Sequence, residues 1–440
     1  MCRPLIALTL ALASATAAAA PGAITLDAAA LGRLVQLPVG GRVELAEFPA
    51  GPGVLAPVRF ERIDVYAADA RLVEMTAAGE REIPRSRHVQ LVGESRDGGT
   101  RIALSLDPAT GELFDGAGST ASGPFVVRAN RTAAGLVFEA VGGRDALPPG
   151  VVLDYADNVD SAFGPDSAPS PLEHLAIAPV LAASTPANLA VVAVDTDTEF
   201  MSERFAGDAT QAANWVATLF TQMNLFYRRD LDVVLLQGTT LFRTATDPFS
   251  NVDTPASQAQ LTEFGNWWAA NQSAVPRSFA MLLSGKATSG NSGSGIAWVN
   301  SYCRTPGNGG SYSINQVFTN PAIGAGASAF LVGHELGHNF GASHTHCSNA
   351  TSGAFPTATG TIDQCYSGEM NCYSGPTSCP ASGPGAPAGT LMSYCHVSPS
   401  GCGQNVLQFH PTHVNLLRTR IAANTPSCLR PETIFITGFQ

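Results

Sequence analysis

Residues 330 to 344 read Phe-Leu-Val-Gly-His-Glu-Leu-Gly-His-Asn-Phe-Gly-Ala-Ser-His, and the spacing of their polar side chains has a chemical meaning. His334 and His338 are four residues apart. On a helix both imidazoles therefore lie on one face, one turn apart. Two nitrogens so placed can meet one ion at about 2.0–2.1 Å, the zinc distance. Glu335 sits on the neighbouring flank, where its carboxylate can reach a metal-bound water without ligating the metal. Gly341 lacks a Cβ and tolerates positive φ, so it can end the helix and turn the chain. His344 then arrives as a third ligand. Three neutral histidines leave a fourth position open, as a catalytic rather than a structural zinc site requires. The bland reading, a helix with satisfied histidines, must absorb five matched positions at once. The chemistry expected is hydrolysis: zinc lowers the pKa of bound water from 15.7 to about 7, and Glu335 moves the proton to the leaving amine.

A second segment follows downstream, Gly389-Thr390-Leu391-Met392-Ser393-Tyr394-Cys395-His396. His334 to His344 followed by a turn containing Met392 resembles the metzincin metallopeptidases. The resemblance implies a zinc endopeptidase with His334, His338 and His344 as ligands and Glu335 as general base. It also implies Met392 as the apolar floor beneath the metal, and an upper strand-and-helix subdomain over a smaller lower one. From about Asn188 to Cys428 the chain is most similar to the adamalysin (reprolysin) group. Thr345 stands where that group usually has Asp. Tyr394 stands where it tends to have Pro, an offset at which astacins and serralysins carry Tyr. Two roles compete for Tyr394: a phenol that reaches the zinc or the oxyanion, or a packed aromatic. His346 would ligate only if the chain turned later, and His396 reads as a surface or outer residue.

The motif needs a helix, and Ala327 to Val332 supplies an apolar lead-in. Upstream, Leu189 to Val194, Asp232 to Leu236 and Phe279 to Leu283 are short apolar runs that suit buried strands. Ala209 to Tyr227 carries apolar positions at helical spacing, and Ser257 to Asn271 is read as another helix. Alternating strands and helices predict a mixed α/β layer. Gly293 to Val299 reads as a further strand whose glycines permit close approach of another backbone. An extended peptide substrate would pair there with Gly295, Ile296 and Ala297 through its backbone. The expected fold class is therefore α+β, a metzincin catalytic domain with a twisted mixed sheet behind a β-rich N-terminal domain.

Val58 to Tyr66 alternates apolar and polar, and His88 to Val92 and Arg101 to Leu106 continue in that style between turns such as Asp97-Gly98-Gly99. The division expected is a secretory signal peptide over 1–20, a β-rich region over 21–160, a Pro/Ala/Ser-rich linker over 161–187, the peptidase domain over 188–428 and a tail over 429–440. The leader rests on Arg3, a short apolar core and the small residues before Pro21. The β-rich region reads as a propeptide, with a retained adhesion or substrate-binding module as the alternative. Residues 21–187 contain no Cys, so latency through a thiolate on zinc is excluded. A carboxylate such as Asp115, or occlusion of the cleft, remains open.

Of 9 cysteines, Cys2 lies in the leader and the others fall between Cys303 and Cys428. An even set in an exported chain predicts disulfides, although eight cysteines allow 105 pairings. The spacing of Cys365, Cys372 and Cys379 lacks the two-residue gap of a zinc knuckle. The roughly 45 residues between His344 and Gly389 lack a helical or strand period, so they need cross-links to stay ordered. Only 13% of the 440 residues are charged and the formal net charge is -11, with no basic cluster. Nucleic acid and anionic membranes are therefore poor partners. The expected molecule is a secreted monomer without a membrane anchor, acting on protein or peptide substrates with one Zn2+. Calcium is compatible with it, but no residue pattern supports a calcium site. Two other classes stay open: a zinc hydrolase of non-protein amides or cell wall, and a catalytically silent zinc-binding adhesion protein.

Overall fold

The computed structural model describes residues 22–155, 187–304, 309–383, 385–397 and 401–432. The expected leader, nearly all of the expected linker and most of the tail lie outside them. The chain folds into two sheets with helices between and around them.

The first sheet is eight-stranded and built wholly from the N-terminal region. Its strands pair antiparallel, from Ile24–Leu26 against Gly135–Gly142 at one edge to Val54–Arg62 against Arg42–Gly51 at the other. Alternation decides which face is inside: Val58, Phe60, Leu91, Ile102, Leu104, Phe125 and Phe138 form one apolar cluster. Gly118 is forced by this packing, since a Cβ there would meet the Phe125 ring at 2.2 Å.

The second sheet is mixed. Its order runs Asp154–Tyr155, Ser292–Ala297, Tyr312–Gln316, Phe279–Ser284, Asn188–Thr196, Val233–Arg243, Leu72–Thr76, Gly79–Ile83. The strands from Tyr312–Gln316 to Leu72–Thr76 are mutually parallel, and Ser292–Ala297 runs antiparallel to its neighbour Tyr312–Gln316. The parallel strands are buried on both faces, which explains their unbroken apolar runs. Helix Ala209–Leu231 starts at an Asp208 cap that accepts hydrogen bonds from Thr210 and Gln211. It lies between the two sheets and is buried on most of its circumference. Helix Gln258–Asn271 begins with a capping box between Ser257 and Gln260.

The α+β expectation holds: a mixed sheet with helices lies behind a β-rich N-terminal region. One arrangement was not foreseen. The N-terminal region also supplies both ends of the second sheet: Leu72 and Val73 register with Thr240 and Leu241 at one end, and Asp154 and Tyr155 with Ser292 and Gly293 at the other. Val65, Tyr66, Ala67 and Leu72 accordingly share a core with Val191, Phe220 and Val332.

Candidate metal centre

Helix Ala325–Phe340 carries His334, Glu335 and His338. Its first residue is Ala325, whose amide donates to Asp115 Oδ2 at 2.7 Å, while Gln222 donates to Asp115 Oδ1 at 2.9 Å. A carboxylate at a helix N-terminus satisfies an orphan donor and complements the dipole. Burial pushes the Asp115 carboxyl up, and the hydrogen bonds from Ala325 and Gln222 oppose that rise. His334 lies nine residues further on, about 13 Å along the axis. Asp115 therefore holds the start of this helix and does not approach the histidines. Arg204, buried, donates to the carbonyls of Asn320 and Ile323 at 3.0 and 2.6 Å and fixes the approach to the same helix.

The far end is set by Gly341, at φ 113°. Its amide donates to the carbonyls of Gly337 and His338, and a Cβ would meet Arg420 Nη1 at 2.2 Å. Both conformation and space require glycine. The turn brings the Ala342 carbonyl to His338 Nδ1, at 2.7 Å. The Leu391 carbonyl reaches His334 Nδ1 at 2.8 Å. His344 Nδ1 lies 2.7 Å from Glu369 Oε2. Each of these partners accepts, so each Nδ1 carries the proton and each Nε2 keeps a lone pair.

The three rings are buried, with ligand atoms all within 4.8 Å of one another. His338 and His344 approach most closely, Nε2 to Nε2 at 3.1 Å. Two lone pairs at that distance repel unless a cation lies between them. A tetrahedral ion with bonds of about 2.0 Å spaces its nitrogens by about 3.3 Å, so the donor set fits zinc. Burial, reinforced by His344 and His334, holds the His338 pKa far below the ordinary histidine value, so the ring is neutral as a metal ligand must be.

Glu335 is buried beside the histidines. A Cβ on Gly295 would meet Glu335 Oε1 at 2.4 Å. The Gly-rich strand was expected to admit another backbone; what comes close to Gly295 is instead this side-chain carboxylate. Ile296 and Ala297 are buried, and Ile296 belongs to a core cluster with Phe264, Trp268 and Tyr312. Asp154 and Tyr155 already pair with Ser292 and Gly293 in the parallel sense. Among the described residues no strand pairs with the outer edge of Ser294–Ala297.

Met392 lies beneath the histidine helix: a Cβ on Gly337 would meet its Sδ at 2.8 Å. The Met392 carbonyl accepts from Thr345 at 3.1 Å. Tyr394 is buried with its ring centroid 4.3 Å from that of His344 and 6.2 Å from that of His334. His346 Nε2 lies 2.9 Å from Glu369 Oε2, facing the carboxylate. His396 packs against Tyr155 and Phe330. Glu369 was not picked out in the sequence. Its only signal there is that it is the one glutamate between His344 and His396, inside the cysteine-rich loop. Burial raises its carboxyl, but the His344 and His346 rings that hydrogen-bond to it outweigh this and hold it below the usual carboxylate range.

The cysteines pair as Cys303–Cys428, Cys347–Cys372, Cys365–Cys395 and Cys379–Cys402. Three of these bonds close the loop that follows His344, which has little regular structure of its own.

A family model described as Reprolysin_5, metallo-peptidase family M12, matches residues 185–406, about half of the chain. Among solved structures, that of metalloproteinase-II from Bacteroides fragilis aligns at 12% identity and a TM-score of 0.35, over 77% of this chain and 92% of that one. No curated protein matches the chain.

Proposed function

The chain belongs to metallo-peptidase family M12, and from that membership we propose how its residues carry out zinc-dependent peptide hydrolysis: His334, His338 and His344 hold the ion and Glu335 is the general base. The enzyme is a zinc metalloendopeptidase, and its substrates are proteins or peptides. When bound, zinc supplies a Lewis acid and lowers the pKa of a water from 15.7 to about 7. Glu335 accepts the proton of that water and delivers it to the leaving amine. Buried at the helix flank against Gly295, its carboxylate has little freedom to wander. Tyr394 donates to the oxyanion that develops on the substrate carbonyl, a role supported by its packing on His344. Met392 serves as the floor and Gly341 as the turn that delivers His344. The substrate main chain pairs with Gly295, Ile296 and Ala297.

In this reading the peptidase domain spans 188–428 and lies nearest the adamalysin group, with an astacin-like tyrosine after the Met-turn. Residues 1–20 are an export signal, 21–160 a propeptide and 161–187 the segment where it is cut. Four disulfides support an extracellular site of action. No helix of the described residues is long and apolar enough to cross a membrane.

The observation that carries the proposal is the convergence of three histidines whose Nδ1 atoms each face an acceptor oxygen, with two Nε2 atoms 3.1 Å apart. The test is zinc content and casein cleavage for the wild type, Glu335→Ala and His338→Ala. Glu335→Ala should keep about one zinc per chain and lose activity by about 10²–10⁴-fold. His338→Ala should lose both. A Glu335→Ala protein that cleaves casein at the wild-type rate would remove Glu335 from the mechanism.

A further inference from the structure

We propose that Glu369 is a positioning residue of the metal centre: it fixes the tautomer and orientation of His344 and raises the strength of that ring as a ligand, and it is held in place by His346. This rests on the reading that His334, His338 and His344 hold zinc.

The three ligand rings are not backed alike. His334 and His338 give their Nδ1–H to neutral carbonyl oxygens, whereas His344 gives its own to a carboxylate. An ionised acceptor makes the shorter and stronger bond and pushes electron density toward the opposite nitrogen. His344 is therefore the most basic of the three donors. The same Oε2 receives His346 Nε2–H at 2.9 Å, so two N–H groups from different rings converge on one oxygen. The His344 and His346 rings lie nearly parallel, 7° apart with centroids 5.4 Å apart. Such a pair of donors orients the carboxylate. With Nε2 turned to Glu369, His346 is a clamp for the carboxylate and takes no place among the ligands.

Glu369 is buried, and an ionised buried carboxylate without partners would be strongly unfavourable. It follows His344 by 25 residues and comes to it through cross-linked chain. Cys347 lies three residues after His344, Cys372 three after Glu369, and the two are bonded. The Tyr373 amide also donates to the His346 carbonyl at 3.0 Å. Since Oε2 faces the Nδ1 side of His344, Glu369 acts through that ring and touches neither metal nor substrate.

The test compares Glu369→Ala, Glu369→Gln and His338→Ala with the wild type by chelator competition for zinc and by the visible absorption of the Co2+-substituted protein. Glu369→Ala should weaken zinc binding by about 10–100-fold and shift the Co2+ bands. Glu369→Gln keeps an acceptor without charge, so it should recover part of both. If Glu369→Ala fails to fold, the isosteric Glu369→Gln decides alone by the same two readings. Wild-type zinc affinity and an unchanged Co2+ spectrum in the folded Glu369 variant overturn the proposal. His338→Ala separates the two readings: tight zinc binding there would instead overturn the three-histidine site.

Discussion

Gly295 and Glu335 occupy adjoining space so tightly that any side chain at 295 would displace the carboxylate. Gly295→Ala should therefore lower casein turnover by at least tenfold, by moving the proposed general base about an ångström, while zinc content stays at the wild-type level. Another buried residue gives a pH signature. His413, hydrogen-bonded to Ser348 Oγ at 2.9 Å, is pushed down by burial, with smaller contributions from His410 and Arg420, to about 3. The unfolded chain would protonate it near 6.5. Its folded pKa is depressed, so its contribution to stability is whole above 6.5 and declines as pH falls toward 3. His413→Gln should narrow the difference in unfolding free energy between pH 7 and pH 4.5, measured with urea, by up to about 2.5 kcal/mol. The histidines and Glu335 were legible because they share one helix and one turn, where spacing fixes geometry. Glu369 was not, because it reaches His344 through a disulfide, and the eight cysteines allow 105 complete pairings.

The histidine helix depends on anchors at both ends, and both are remote in sequence. At its end, Gly341→Ala would force a Cβ into Arg420 at a left-handed φ. The variant should lose at least about 1–2 kcal/mol in urea unfolding and bind zinc less tightly, because the turn also places Ala342 on His338. At its start, Asp115→Ala removes the carboxylate that accepts from Ala325. A drop of about 1 kcal/mol or more is expected, typical of a lost N-cap, in the same measurement. Helices Ala209–Leu231 and Gln258–Asn271 were legible from apolar spacing, and their Asp208 and Ser257 caps were there to be read. Strand Leu72–Thr76 was not assigned to its sheet. A five-residue run carries no mark of which sheet it joins, and its partner Val233–Arg243 is more than 150 residues away.

The two halves of the chain share both core and sheet. Besides the register of Leu72 with Thr240, Thr221 donates to Gln90 at 2.8 Å and Arg228 pairs with Glu61 at 3.1 Å across the same boundary. A chain cut between residues 155 and 187 should therefore stay together, its two fragments eluting as one species on size exclusion in physiological salt. Separation under those conditions would show that the shared sheet is too weak to hold them.

The cysteines have a distribution with its own consequence. Residues 22–155 contain none, and the last bridge closes only at Cys428. The order of synthesis thus separates two kinds of folding: the first sheet can assemble from hydrogen bonds and apolar burial alone, whatever the redox state around it. The ion-binding end waits for oxidation. Until it comes, the finished N-terminal portion presents Leu72–Thr76 as a ready template on which Val233–Arg243 can align, so the part made first acts as the jig for the part that does the chemistry.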